Sequence, residues 1–247
     1  MEITEIQEQA ILRKRGDRGQ TFYCFSPPVM LATFLIESGL AAYVLHRYRK
    51  GQFAKVAAGI LLLLAVFQLS EYQICTNANA IVWSRLGLVA ITLLPILGLY
   101  LISLISHKQH FLRLGYAAAA VSVFLIILAP QDAISPFCAG NYVTFGGPEV
   151  VYRFYAAYYF GFLLIGIWES IEALNLSRSK RMHRILRWMV IGYLSFMLPM
   201  GIVYAFYEPA RMAVASIMCG FALGLAFILA LRIVPEYSKR SFPAARA

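Results

Sequence analysis

Charged residues are scarce in this chain of 247 amino acids, where Asp, Glu, Lys and Arg together make up 14%. Soluble domains contain roughly 25% charged residues. Because 60% of this chain is hydrophobic, its composition argues against a soluble globular domain. The net charge of +10 would suit nucleic acid, but the Lys and Arg residues fall in short segments between long apolar runs. Orientation in a lipid bilayer explains that placement, so we expect the bilayer, and no nucleic acid, as a partner.

Lys and His, two residue types that carry much enzyme chemistry, are also missing from the middle of the apolar runs. No run has a central Lys for a retinal Schiff base, which argues against a retinal receptor. The four His lie at the predicted ends of runs: His46, His107, His110 and His183. This placement argues against a haem bundle or a zinc hydrolase, and His107 with His110 is only a weak metal pair. No nucleophile elbow, P-loop or kinase signature is present. We therefore predict no catalytic residue, no metal and no cofactor.

Seven apolar runs approach or exceed the roughly 20 residues that cross a bilayer as a helix. They cover residues 28–46, 56–75, 82–106, 114–130, 152–174, 186–207 and 212–234. Backbone groups find no water in lipid, and the alternation of a membrane barrel strand is absent, so the runs are helices. The sequence predicts an all-α polytopic integral membrane protein. It has an N-terminal tail (1–27), a bundle of seven transmembrane helices (28–234) and a short cytoplasmic tail (235–247).

The distribution of Lys and Arg predicts the orientation of the bundle, because cytoplasmic segments retain these residues. One side carries most of them: Arg47, Arg49, Lys50, Lys55, Lys108, Arg113, Arg178, Lys180, Arg181, Arg184, Arg187, Arg232, Lys239, Arg240 and Arg246. The other side carries Arg85, Arg153 and Arg211, together with a basic cluster at 13–18 that is balanced by Asp and Glu residues. We expect a multi-pass protein of the inner membrane, with the N-terminus outside and the C-terminus in the cytoplasm.

Three of the four cysteines fall on the predicted outer face, where an oxidising compartment allows a disulfide. These are Cys24, Cys75 and Cys138, and three thiols allow three pairings. We favour Cys75 with Cys138, because both sit beside helix ends; three unpaired thiols are the alternative.

The segment 131–151 contains Cys138 with several Gly and Pro and no Lys or Arg. It predicts a structured loop over the mouth of the bundle, either a lid or a plain connector.

Ionisable residues inside predicted spans are expensive in lipid and usually face a cavity or a partner. Glu37 lies in the middle of the first span, and Glu71 shares a face of the second span with Gln68 at a spacing of three. Arg85 opens the third span and is a candidate partner for Glu71. We predict that Glu71 is ionised in an outward-facing cavity with Gln68, and that Glu37 is buried and protonated. A sealed helix contact is the alternative for both acids.

Aromatic residues gather at the predicted outer level, and Tyr155 is the one that we assign to a ligand-binding pocket with these polar groups. An interfacial aromatic belt explains the same residues without a ligand.

Pro95 and Pro199 interrupt the third and sixth spans and predict kinks. Such kinks suit a bundle that switches between two packings, and they also occur in static membrane helices.

Three short motifs stand out in the sequence: WSRLG at 83–87, LLP at 93–95, and GGP at 146–148 before an aromatic helix at 152–168. In these motifs the chain resembles the seven-helix N-terminal sensor region of certain bacterial histidine kinases. This resemblance implies a receptor-like bundle with an extracytoplasmic N-terminus and a signalling output on the cytoplasmic side. The sequence ends at Ala247, about a dozen residues after the last predicted span and with no kinase domain, so the resemblance implies an output through a partner protein.

These observations favour a bacterial sensor-like or ligand-binding bundle without enzymatic activity, which signals through a cytoplasmic or membrane partner. A small transporter or channel is the alternative, with Glu37 and Glu71 as a polar path; internal pseudo-symmetry would distinguish it. A membrane enzyme acting on lipid is a second alternative, which would need a nucleophile, a base and metal ligands close together. The sequence leaves the oligomeric state open.

Overall fold

The computed structural model describes residues 26–49, 51–76, 79–106, 108–138, 143–146, 148–206 and 214–239. The N-terminal tail with Cys24, residues His107, Tyr207 and Arg211, and the end of the C-terminal tail lie outside the described residues. The helices are α1 (Pro27–Tyr48), α2 (Gln52–Thr76), α3 (Ala80–Ser106), α4 (Leu112–Leu128), α5 (Glu149–Leu176), α6 (Lys180–Phe206), α7 (Val214–Ile228) and α8 (Val234–Ser238). A 3₁₀ turn (Gln131–Ala133) and strands β1 (Ser135–Cys138) and β2 (Val143–Gly146) lie between α4 and α5, and a π-helical segment (Leu229–Ile233) joins α7 to α8.

The fold is all-α, as the sequence predicts, apart from the two short strands. Six helical stretches of the described residues are long and apolar enough to cross a membrane. They are α1, α2, α3, Arg153–Leu176 of α5, α6, and the continuous stretch Val214–Ser238. The apolar helix α4 has 17 residues, which corresponds to about 25 Å at a rise of 1.5 Å per residue. Most helices differ from the predicted spans by a few residues at each end, and α6 begins at Lys180, six residues before the predicted start.

Helix α1 has one face that packs inside the bundle and one face that is exposed, and its sequence pattern separates the two. Two prolines open it, and the fixed φ of proline suits the first turn of a helix. Its buried residues recur at spacings of three and four and form a narrow stripe: Met30, Thr33, Glu37, Ala41 and Val44. Leu35 and Ile36 lie exposed on the other side, as expected of a helix at the edge of a bundle in lipid.

Helix α2 lies at the centre of the bundle and packs against α1, α3 and α7. It contributes the three largest fully buried side chains among the described residues, Phe53, Phe67 and Leu61. Helix α4 lies at the periphery, where it packs mainly on α3. Gly115 allows that approach, because a Cβ there would lie 2.9 Å from Ile96 Cδ1.

The predicted loop between α4 and α5 contains a β-hairpin rather than turns alone. Strands β1 and β2 are antiparallel, with Ser135 opposite Gly146 and Cys138 opposite Val143. A disulfide joins Cys138 to Cys75 near the end of α2, which is the pairing that the sequence favours. We call this end of the bundle the hairpin end. The opposite end carries the basic residues of α6, and we call it the basic end.

The basic end is held together around α8. The ring of Tyr237 stacks on Phe53 of α2 at 4.1 Å between centroids. The guanidinium of Arg181 donates to the backbone carbonyl of Glu236, and Arg184 Nη1 lies 3.4 Å from Glu236 Oε1. The last turns of the long stretch Val214–Ser238 are therefore fixed to both α2 and α6.

Candidate functional site

The hairpin covers the end of the bundle through strand β2. Val143 and Phe145 alternate with Thr144 along this strand and are buried, because alternate side chains of a strand point to the same face. The ring of Phe145 lies 6.3 Å from that of Phe67 on α2. Apolar packing and the disulfide thus fix the hairpin over α2.

Ser216 of α7 joins the hairpin to α2 through its hydroxyl. The backbone N–H of Val143 donates to Ser216 Oγ at 3.1 Å, and the carbonyl oxygen of Val143 lies 3.0 Å from the same Oγ. Ser216 Oγ is also hydrogen-bonded to Glu71 Oε1. Glu71 is 1% exposed, and this bond ties its carboxyl to the underside of the hairpin.

A cavity of about 240 Å³ lies beside Glu71, between α1, α2 and α7. Its lining residues are Val29, Met30, Thr33, Gln68, Glu71, Gly220, Phe221 and Leu223. Those of α1 and α2 lie in the half of each helix nearest the hairpin end, and Glu71 is five residues, or about 7.5 Å, from the end of α2. Gln68 and Glu71 therefore share the wall of one cavity, as their spacing predicts.

The polar side chains of this cavity differ in how they are bonded. Thr33 Oγ1 donates to the carbonyl of Val29 within α1 at 2.9 Å, so its hydrogen is used locally. Gln68 is 3% exposed and has no hydrogen-bond partner among the described residues. Buried amides are bonded in most proteins, so an unbonded amide in a cavity wall is a feature of binding sites.

Glu37 lies one turn deeper than Thr33 on the same face of α1. Its side chain is fully buried, and neither carboxyl oxygen has a hydrogen-bond partner among the described residues. Glu37 and Glu71 are close enough to interact electrostatically, although Glu37 does not line the cavity. Two carboxyl groups therefore lie near each other in apolar surroundings at this depth.

The expected pairing of Arg85 with Glu71 is wrong. Arg85 Nη2 donates to the carbonyl of Ala129, just after α4, at 2.7 Å. This bond satisfies the backbone at the end of a short helix, where the last carbonyls lack intrahelical partners. Arg85 therefore ties α3 to the end of α4, and it is not among the residues that line the cavity.

Tyr155 lies away from the cavity, in the contact between α3 and α5. Its hydroxyl is 2.9 Å from Thr92 Oγ1, and the hydroxyl of Tyr158 donates to the Thr92 carbonyl at 2.6 Å. Pro95 follows three residues later in α3 and supplies no backbone N–H. The Tyr158 hydroxyl therefore bonds the backbone three residues before this proline, and the Tyr155 hydroxyl bonds the Thr92 side chain.

Sequence reasoning missed Ser216, Val143 and Thr33. Ser216 offers a weak signal, since it is a polar residue near the start of an otherwise apolar helix. Nothing in the sequence indicates that the backbone of Val143 would reach it. In the described part of the chain, no group of three or more His, Cys, Asp or Glu side chains is arranged to hold a metal ion.

The hairpin end thus contains a small, mainly apolar cavity with the carboxyl of Glu71 and the amide of Gln68 in its wall. Comparison of the chain with models of known protein families and with curated proteins gives no match.

Proposed function

We propose that this chain is a seven-helix membrane protein that binds a small ligand at its hairpin end and signals the binding to a partner at its basic end. In this proposal α4 crosses the bilayer with the six longer helical stretches. The observation that carries the proposal is the cavity of about 240 Å³ whose wall contains Glu71 and the unbonded amide of Gln68. Ligand pockets are typically apolar with a few convergent polar groups of this kind.

The proposed orientation places the hairpin end outside and the basic end in the cytoplasm. A disulfide persists in an oxidising compartment, and Cys75–Cys138 lies at the hairpin end. Exposed basic residues such as Arg178 and Lys180 lie at the other end, where the preference of Lys and Arg for the cytoplasmic side places them. These two features of the chain support the same orientation.

The helical stretch Val214–Ser238 offers a route from the cavity to the basic end. Gly220 and Phe221 line the cavity, and Glu236 and Tyr237 of the same stretch are held by Arg181 and Phe53 at the opposite end. The π-helical segment lies between these two ends, and such segments are frequent at functional sites in helices. A ligand that shifts α7 would thereby change the docking of α8, where a partner would detect it.

The described interior supports a sensor over a transporter or channel. Below Glu37 most of the buried side chains are apolar, with Ser103, Glu169 and Ser170 as buried polar ones, and the cavity in the centre has a volume of only about 40 Å³. Leu64, Leu94 and Met218 are among the apolar residues that line this central cavity. A transport path that used Glu37 and Glu71 would have to pass this packed region. A lipid enzyme that used a metal ion would need a set of ligands, and no group of three or more His, Cys, Asp or Glu side chains in the described residues is arranged to supply one.

The first prediction is that water reaches the cavity from the hairpin end. We expect Thr33→Cys to react with a water-soluble thiosulfonate, because Thr33 lines the cavity and the thiolate of a cysteine there would attack this reagent and displace its sulfinate. The matched control is Leu35→Cys on the same helix, whose side chain is 60% exposed on the outer face of the bundle and would lie in lipid. Both variants are made in a chain with Cys24→Ser and Cys219→Ser, with the disulfide intact.

The measurement is the rate of modification in proteoliposomes. Modification of position 33 at least about tenfold faster than position 35 supports a water-filled site, because a thiol in hydrocarbon does not ionise. Equal, slow modification of both positions would contradict the proposed binding function, since a sealed cavity admits no soluble ligand.

A further inference from the structure

We propose that the cavity binds a small primary ammonium ion with an apolar body, and that this cation enters in exchange for a proton carried by Glu71. The inference rests on the proposed binding function and names the class of ligand. The hydrogen bonds of Ser216, the polar groups of the cavity and the size of the cavity support it.

The hydrogen-bond partners of Ser216 indicate that Glu71 carries a proton, whereas the sequence predicts an ionised Glu71. Ser216 Oγ has three polar neighbours, namely the N–H of Val143, the carbonyl of Val143 and Glu71 Oε1, but a hydroxyl has only one hydrogen. If Glu71 were a carboxylate, Ser216 would donate to it, and the buried Val143 carbonyl would face a hydroxyl oxygen without a hydrogen. If Glu71 is a carboxylic acid, it donates to Ser216, Ser216 donates to the Val143 carbonyl, and every contact is satisfied.

The charges around the cavity favour a cation over an anion. Within the part of the chain that the structure describes, the cavity is lined by a carboxyl, an amide, a hydroxyl and apolar groups, and none of these lining residues is Lys, Arg or His. Glu37 on α1 adds a second carboxyl nearby. The only other titratable group that acts on this pair among the described residues is the thiol of Cys219 on α7, which supplies no positive charge. Arg85 on α3 is engaged with Ala129.

The unbonded amide of Gln68 favours a primary ammonium over a quaternary one. Its carbonyl oxygen accepts a hydrogen bond, and an ammonium group has N–H donors for both Gln68 and Glu71. A tetramethylammonium ion has no such donor and would leave the buried amide unbonded. Phe221 also lines the cavity, and aromatic rings attract cations.

The size of the cavity indicates that the ligand has an apolar body. A cavity of about 150 Å³ holds benzene. The cavity here is larger, at about 240 Å³, and Val29, Met30 and Leu223 supply apolar wall. An ammonium carried on a short hydrocarbon chain or a ring would fill it while placing its charge against Glu71.

The exchange conserves charge and atoms. The Glu71 carboxylic acid releases its proton to the aqueous phase, and the resulting carboxylate pairs with the incoming ammonium, so one positive charge replaces another. Ser216 then donates its hydrogen to the Glu71 carboxylate, which removes the bond to the Val143 carbonyl. Ligand binding is thereby linked to the bond that fastens β2 to α7.

The test uses butylammonium chloride as the probe and the full-length Thr33→Cys chain in proteoliposomes. We expect butylammonium to slow modification of position 33, while butyrate and tetramethylammonium have no effect at the same concentration. In weakly buffered solution, we expect one proton to be released for each butylammonium bound. The apparent affinity is expected to rise from pH 6 to pH 8, because the cation competes with the proton.

The matched variant is Glu71→Gln, whose amide still donates to Ser216 and so retains the bonds of the protonated acid. It should fold, weaken protection by butylammonium at least about 30-fold and release no proton, because loss of one partner of a buried charge pair is costly. Equal protection by neutral butyramide, or unchanged protection in Glu71→Gln, would overturn the cation proposal while the binding function stood. Absence of any modification at position 33 would instead overturn the binding function itself.

Discussion

Ser216 connects the carboxyl of Glu71 to the backbone of the hairpin, and its side chain is 1% exposed. A buried hydroxyl that bonds on several sides stabilises a fold mainly because its loss leaves other groups without partners. Removal of the Ser216 hydroxyl would leave the N–H and the carbonyl of Val143, and one oxygen of Glu71, without this hydrogen-bond partner. The stability of the hairpin end is therefore expected to depend on this one residue.

The prediction at this scale compares two buried serines. Ser216→Ala is expected to lower the free energy of unfolding by about 1 to 3 kcal/mol, because buried polar groups lose their bonds. Ser84 is the control, since its hydroxyl is fully buried but has no hydrogen-bond partner among the described residues. Ser84→Ala is expected to change the free energy by less than about 0.5 kcal/mol or to raise it. Thermal unfolding in detergent measures both, and equal losses would show that the network around Ser216 has no special role.

The sequence alone predicts two residues of the candidate site, Gln68 and Glu71. Gln68 and Glu71 were placed together because a spacing of three puts two residues on one face of a helix, which is a local rule. Arg85 was assigned wrongly as the partner of Glu71, because the end of α4 that it bonds lies 44 residues away. Tyr155 was assigned to the pocket by its level in the membrane, whereas the rotation of α5 directs it towards Thr92 of α3.

Helices α3, α5 and α6 meet at Tyr193, which is the clearest packing feature among the elements. Tyr193 of α6 is 4% exposed and lies between two glycines, Gly98 of α3 and Gly166 of α5. A Cβ at Gly98 would lie 2.3 Å from the Tyr193 hydroxyl oxygen, and one at Gly166 would lie 3.0 Å from it. Small residues of this kind let membrane helices approach closely.

The prediction for these helices is that Gly98→Ala disturbs the packing of α6. We expect a loss of about 1 to 3 kcal/mol in the free energy of unfolding, because the Tyr193 ring has no room to move away from both helices. The control is Gly59→Ala on α2, where a Cβ would meet no atom within 4 Å and alanine favours the helix. Unfolding curves in detergent compare the two. Equal stability of both variants would mean that Tyr193 is not confined.

Some elements of the fold are not predicted by the patterns in the sequence. The apolar runs predict the long helices because length and hydropathy are local properties. The π-helical segment Leu229–Ile233 gives no such signal, since its residues are as apolar as those of the helix around it. The hairpin was expected only as a structured loop, because Pro136 and the glycines indicate turns but not the pairing of Ser135 with Gly146.

At the scale of the whole molecule, the two ends of the bundle have different chemistry. The hairpin end has the disulfide, the cavity and the two carboxyl groups of Glu37 and Glu71. The basic end has exposed Lys and Arg and the docked helix α8. An apolar core separates them, and the stretch Val214–Ser238 runs the full distance. This arrangement suits a protein that receives a ligand on one side of a membrane and reports it on the other.

The central claim is that the cavity at the hairpin end opens to the outside of the cell. It is tested most directly by labelling single cysteines with a membrane-impermeant thiol reagent, in intact cells and in inverted vesicles. The chosen positions are Thr33 in the cavity, Val150 at the hairpin end, which is 63% exposed, and Lys180, which is exposed at the basic end.

We predict that Thr33→Cys and Val150→Cys are labelled in intact cells, and that Lys180→Cys is labelled only in inverted vesicles. Orientation by Lys and Arg gives this result, and the cavity gives the reagent access to position 33. Labelling of Lys180→Cys in intact cells, with position 33 reached only in inverted vesicles, would contradict the account.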